Sequence, residues 1–250
     1  MSIWGKILGG AAGFALGGPL GALIGGLAGH AVDRIRGDET ELDTKPRTED
    51  LAGTRQIAFT IAVIALGAKM AKADGVVTRD EVKAFEEVFR IPAHERKNVA
   101  RVFNMAREST AGFEVYARQV ATLFRGNPAV LEDLLHGLFH IAKADNVLHE
   151  REEEYLRAVA SIFGFDEAAY HRIRAIHFGD IRENAYEILG VEPTISTDEL
   201  KRAYRKLVRE NHPDKLIAQG VPQEFVDLAN EKLARINDAY DQVMRSRAAA

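Results

Sequence analysis

The sequence predicts an all-α protein assembled from an N-terminal glycine-rich membrane helix, a helical bundle and a C-terminal helical hairpin. Three observations carry that reading. Apolar residues recur at helical spacing from Leu51 onward with no alternating strand pattern. Residues Ile7 to Val32 carry no formal charge at neutral pH. Two amphipathic stretches flank the tripeptide His212-Pro213-Asp214. The 250 residues fit two modest domains plus appendages. These are an anchor over 1–36, an acidic flexible linker over 37–50, a bundle over 51–178 and a hairpin domain over 183–247.

The 26 residues from Ile7 to Val32 would reach roughly 39 Å as a helix, enough for a hydrocarbon core of about 30 Å. Gly9, Gly13, Gly17, Gly21, Gly25 and Gly29 repeat every fourth position. Missing side chains on one stripe let two helices approach closely in lipid, so a homodimer through this segment is expected. Two alternatives stay open: a flexible glycine-rich tail, and a short hairpin folding back at Gly17-Gly18-Pro19. Lys6 precedes the stretch and Arg34 and Arg36 follow it, which places the C-terminal side in the cytoplasm. Residues 37–50 then run through acids, Lys and Arg with almost nothing apolar, as a solvated tether does.

From Leu51 to Phe178 about seven helices are expected, with breaks at Ile91-Pro92, Gly112 and Asn127-Pro128. An internal repeat lies inside this region: Ala71-Lys72-Ala73-Asp74-Gly75-Val76 returns as Ala142-Lys143-Ala144-Asp145-Asn146-Val147, and Glu81 returns as Glu152. In the first copy, Asp74-Gly75 makes a turn and Thr78 with Glu81 makes a capping box. The second copy has His149 in place of the Thr, so its retained carboxylates point to another task. A divalent cation held by Asp74, Glu81, Asp145 and Glu152 is the alternative to a purely structural turn, although the spacing fails the calcium-loop pattern. His136 and His140 stand one helical turn apart, but Gly137 occupies the place of the glutamate a zinc protease needs. They read as core or surface histidines. No nucleophile with a base and no phosphate-binding loop is found, so the chain is not expected to be an enzyme.

In the last region Asn184 to Val191 reads as a short helix stopped by Gly190. Ser196 and Glu199 form a capping box for a helix whose Leu200, Ala203, Tyr204 and Leu207 share one face. Lys201, Arg205 and Arg209 form a stripe away from that face, with Arg202 and Lys206 beside it. Tyr204 lies between the two faces, equally placed for packing or for a partner. Pro213 ends the helix near Asn211 and puts His-Pro-Asp in the following loop. Phe225, Leu228, Ala229, Ile236, Ala239, Tyr240 and Val243 mark a second helix. From Asn184 to Arg247 there are 10 Lys and Arg against 11 Asp and Glu, a balance that argues against nucleic acid and for a protein partner. With no cysteine in the chain, disulfides and thiol chemistry are excluded.

The run Tyr186-Glu187-Ile188-Leu189-Gly190-Val191, the block Ala203 to Leu207, His212-Pro213-Asp214-Lys215 and Ile236-Asn237-Asp238-Ala239-Tyr240 together resemble a J domain. That resemblance implies a DnaK-type chaperone as partner, with His212, Pro213 and Asp214 stimulating its ATPase and Lys201, Tyr204, Arg205 and Lys206 meeting its surface. The Ala-Lys-Ala-Asp-Gly repeat resembles the TerB-like helical fold. The whole order, from Trp4-Gly5-Lys6-Ile7 through the glycine-rich span and the bundle to the terminal hairpin, is similar to the DjlA-like co-chaperones of bacteria. It implies a single-pass protein of the bacterial inner membrane with its folded domains in the cytoplasm, acting on client proteins the sequence does not identify. The competing class is a metal-binding stress sensor in which the J domain is only a docking arm.

Overall fold

The computed structural model describes residues 59–60, 62–71, 96, 100, 103–104, 107, 112–145, 147–218 and 225–249. The expected anchor with its stripe of six glycines, the linker, Asp74 and Glu81 lie outside the described residues. Among the described residues every regular element is helical, as the apolar periodicity requires.

Residues 62–71 form a buried helical stretch. After it come α1 (Phe113–Leu123), α2 (Pro128–Ala142), a 3-10 turn (Lys143–Asp145), α3 (Glu150–Phe163) and α4 (Glu167–Phe178). Proline starts α2, where its missing amide hydrogen costs nothing. The α2 helix is buried on nearly every side, from Val130 and Leu131 through Leu138 and Phe139 to Ile141. A helix buried in this way is the centre of a bundle. Phe59, Val63 and Leu66 pack against it with Val120 of α1, Leu156 and Val159 of α3 and Ile173 of α4. The Tyr155 hydroxyl donates to the Leu66 carbonyl at 2.7 Å, which satisfies a polar group that burial would otherwise strand. Gly164 ends α3 at φ 89°, a left-handed conformation that suits glycine.

The α4 helix works for two cores. Its Tyr170 and Ile173 belong to the bundle, whereas Ala175 and Ile176 join a second core with Ala185 and Ile188 of α5 (Ile181–Ile188). Asp180 caps α5 by accepting the Arg182 amide hydrogen at 2.7 Å. Gly190, at φ 64°, stops it where the sequence predicts. Then follow α6 (Thr197–Glu210), α7 (Pro213–Ala218) and α8 (Val226–Ala248). Leu200 of α6 and Ile236, Ala239 and Val243 of α8 complete the second core.

The α8 helix also works for two cores. Phe225, immediately before it, and Ala229 are buried in the bundle; the Phe225 ring stands edge-on to Phe59 with centroids 4.7 Å apart. Lys232, only 4 % exposed, ion-pairs with Asp133 of α2 and lies 4.0 Å from Glu132. Glu132 is in turn held by Arg172 of α4 at 2.8 Å. Two acids of α2 thus meet one cation from α4 and one from α8. Arg235 donates to the Ala175 and Gly179 carbonyls at the end of α4, where free carbonyls and the helix dipole favour a cation.

Replacing Lys232 with Ala leaves Asp133 buried and unpaired. Urea unfolding should show a loss of about 3–5 kcal/mol, the usual cost of breaking a buried ion pair from one side. Lys232→Met with Asp133→Leu should recover most of it; a loss below about 1 kcal/mol for Lys232→Ala would show that the pair is open to water.

Candidate partner-docking site

The Ser196 capping box starts α6: its hydroxyl oxygen accepts the Glu199 amide hydrogen at 3.3 Å, and the Glu199 carboxylate accepts the Ser196 amide hydrogen at 3.2 Å. The Ser196 hydroxyl also donates to the Glu199 carboxylate at 2.7 Å, and that bond, with the one from the Ser196 amide, holds the Glu199 carboxyl below its ordinary value. Leu200 seats the helix in the core, and Arg202, Arg205, Lys206 and Arg209 are exposed, with Lys201 half-buried beside them. Five cations therefore occupy the part of α6 that the core does not use.

Tyr204 belongs to the hairpin as much as to the surface. Its ring stacks on Tyr240 of α8, centroids 4.1 Å apart and planes 13° off parallel, while its hydroxyl donates to Asn237 at 3.0 Å. At the other end of the helix, buried Asn211 donates from its side-chain amide to the Leu207 carbonyl at 2.8 Å. That cap ends α6 and turns the chain outward at His212.

One expectation needs correction at this point. His212 lies between helices, but Pro213 and Asp214 form the first turn of α7 rather than a loop. Proline is well placed at a helix start, and an aspartate there meets the positive end of the peptide dipoles. The Asp214 and Lys215 amides donate to the His212 Nδ1 and carbonyl oxygen, at 3.3 and 3.0 Å. With Nδ1 accepting, the hydrogen of the neutral ring sits on Nε2. The side chains of His212 and Asp214 are 53 % and 88 % exposed, so a partner reaches both without rearranging a core.

The other candidate residues separate from this site. Glu152 is buried at the start of α3, where its carboxylate accepts the His149 amide hydrogen at 3.0 Å and closes a capping box. The second repeat therefore keeps the cap that replacing Thr with His seemed to remove, since an imidazole nitrogen also accepts a hydrogen bond. Asp145 ends the 3-10 turn; its side chain lies outside the described residues. Among the described residues no group of three or more His, Asp and Glu is arranged to hold a metal ion.

His136 is a core histidine whose Nδ1 lies 2.8 Å from Nε2 of His177 on α4. Glu132 is 3.5 Å from the other nitrogen of His136, which favours a hydrogen there and makes His177 the donor between the rings. Burial pulls His136 down to about 4, with the Lys232 charge adding to it, and burial also holds His177 well below its ordinary value. Sequence reasoning missed His177, although Tyr170, Ile173 and His177 stand at i, i+3 and i+7 on the buried side of α4.

A basic helix ending at an exposed His-Pro-Asp turn, packed on a long return helix beside an all-α bundle, defines a J-domain protein with a TerB-type second domain. Residues 60–175 match the family described as tellurite resistance protein TerB, residues 184–248 the DnaJ domain, and residues 1–56 the co-chaperone DjlA transmembrane domain. Co-chaperone proteins DjlA from Photobacterium profundum, Vibrio cholerae and Shewanella oneidensis are 31 %, 30 % and 30 % identical. These alignments cover 98 %, 99 % and 99 % of this chain and 99 % of each relative. The chain belongs to the DjlA co-chaperone family. No solved structure matches it. Among the described residues no helix is long and apolar enough to cross a membrane.

The two depressed histidines set a pH dependence. Both are neutral in the folded protein, whereas the unfolded chain takes up protons below about pH 6.5. Their contribution to stability is complete above that value and is lost as pH falls toward 4. Each histidine should remove about 1 kcal/mol between pH 7.5 and 5.5. Glu132, Asp133, Arg172, Lys232, His140 and Lys143 also surround the pair. Burial pushes Asp133 up and so opposes the trend. In urea titrations at several pH values, His177→Phe should give a clearly shallower slope than the wild type; equal slopes would contradict the assignment.

Proposed function

We propose that the chain is a membrane-anchored co-chaperone that recruits a DnaK-type chaperone and stimulates its ATPase through His212, Pro213 and Asp214. The observation that carries this reading is the exposed His-Pro-Asp turn at the end of a helix whose free side is basic. Lys201, Arg205 and Lys206 steer and orient an acidic surface of the partner. Tyr204 contributes through the hairpin, by fixing α6 against α8. The chain supplies no nucleophile and no phosphate cradle of its own at this site, so the chemistry belongs to the partner. The glycine stripe from Gly9 to Gly29 joins two copies within the inner membrane, each crossing once with its folded domains in the cytoplasm.

Steady-state ATP turnover by a DnaK-type chaperone, measured with increasing full-length chain, tests the reading. His212→Gln should abolish the stimulation while leaving urea stability unchanged, because the side chain is exposed. Equal stimulation by both proteins would overturn it. Arg205→Glu with Lys206→Glu should raise the concentration needed for half-maximal stimulation roughly tenfold, and the difference should shrink in high salt.

A further inference from the structure

The buried stripe of the return helix runs Phe225, Ala229, Lys232, Ile236, Ala239, Val243, with spacings that keep all six on one side of a helix. That stripe is divided. Ile236, Ala239 and Val243 lie in the core of the J domain, but Phe225 and Ala229 lie in the core of the bundle and Lys232 pairs with its Asp133. Among the described side chains, none of α7 and none of the first ten residues of α8 is a buried member of the J-domain core. The α7 helix, which begins with Pro213 and Asp214, packs on α8. The half of α8 nearest to α7 in sequence is therefore secured by the other domain.

The bundle is shaped to receive it. At Gly137, in the middle of the buried helix α2, a β-carbon would lie 2.9 Å from the Phe225 ring. Glycine at that position is what admits the ring, since any other residue would displace it. Phe225 fills the notch, Lys232 anchors two turns later on the acids of α2, and Arg235 closes over the end of α4. The contacts are apolar, ionic and hydrogen-bonded in sequence along one helix, which fixes both depth and register. The basic residues of α6 and the side chains of His212 and Asp214 stay exposed. Docking therefore leaves the partner face open and is not a blocking contact.

We infer that the TerB-type bundle is a structural part of the J domain's working end: Phe225, Ala229 and Lys232 are positioning residues that hold the first half of α8 and, through it, the helix carrying Pro213 and Asp214. The functional part of this inference rests on the J-domain reading above; the structural part does not. An isolated J domain would keep the part of the second core that α5, α6 and the last half of α8 build, but would lose Ala175 and Ile176 of α4 and the support for its His-Pro-Asp end. A substitution buried in the bundle should then alter partner stimulation from a residue 75 positions before His212.

Hydrogen exchange and ATPase stimulation, both on the full-length chain in detergent micelles, test this with Gly137→Ala, Phe225→Ala and Lys232→Met. Amides of 226–235 and of α7 should lose protection by roughly tenfold or more, while those of α6 and 236–248 change little. The concentration for half-maximal stimulation should rise several-fold in the same variants. Phe225→Leu added to Gly137→Ala makes room in the notch and should restore both readouts, which a general loss of folding would not allow. Unchanged protection of 226–235 in Gly137→Ala and Phe225→Ala would overturn the docking. Lost protection with unchanged stimulation would overturn the positioning role. A wild-type chain that fails to stimulate the partner would sink the functional reading instead, and exchange would still decide the docking.

Discussion

A single helix cannot bury one stripe twice, so α8 buries the two ends of its stripe in different places. Phe225 and Ala229 enter the bundle, Ile236, Ala239 and Val243 enter the J domain, and Lys232 and Arg235 fasten the stretch between them. The α4 helix makes the same division in the opposite direction, giving Tyr170 and Ile173 to the bundle and Ala175 and Ile176 to the J domain. Each fully buried Phe, Ile or Val among these is worth about 1.5–3 kcal/mol. Separating the domains would expose several at once and strand a buried charge. The two sequence families joined in this chain meet along continuous helices rather than across a tether.

Charge serves two purposes in the described residues. On α6 it is spread over an exposed surface, where each cation costs little and acts at a distance on a partner. Beneath α8 it is concentrated and balanced, with Glu132 and Asp133 facing Arg172 and Lys232 and the histidine pair neutral beside them. A buried cluster of this kind adds less to stability than an apolar core of the same volume, but it penalises any other register, because a shift by one turn would leave charges unpaired. Specific seating of α8 follows from Lys232 even where net stability comes from Phe225.

Much of this was legible in the sequence. The Ser196 cap, the stop at Gly190, the amphipathic helices α6 and α8 and the all-α class all follow from local rules, because each depends on residues within a turn or two of one another. What depends on distant residues was not. Lys232 looks like an ordinary surface lysine; only its place in a stripe of buried residues, four after Ala229 less one and four before Ile236, marks it as enclosed. Gly137 reads as a defect in a zinc pattern, whereas its purpose is space for a ring 88 positions away. His177 escaped notice because its partner, His136, sits on another helix. The second repeat misled for a local reason: an imidazole completes at His149 the cap that a threonine hydroxyl completes elsewhere.

The six tyrosines divide evenly, with Tyr116, Tyr155 and Tyr170 in the bundle and Tyr186, Tyr204 and Tyr240 in the J domain. Fluorotyrosine incorporated throughout the full-length chain therefore reports both domains in one urea titration followed by fluorine NMR. If the bundle completes the J domain through α8, the two sets of resonances lose their folded signals at one shared midpoint. Separate midpoints, with either set still folded after the other has melted, would contradict it.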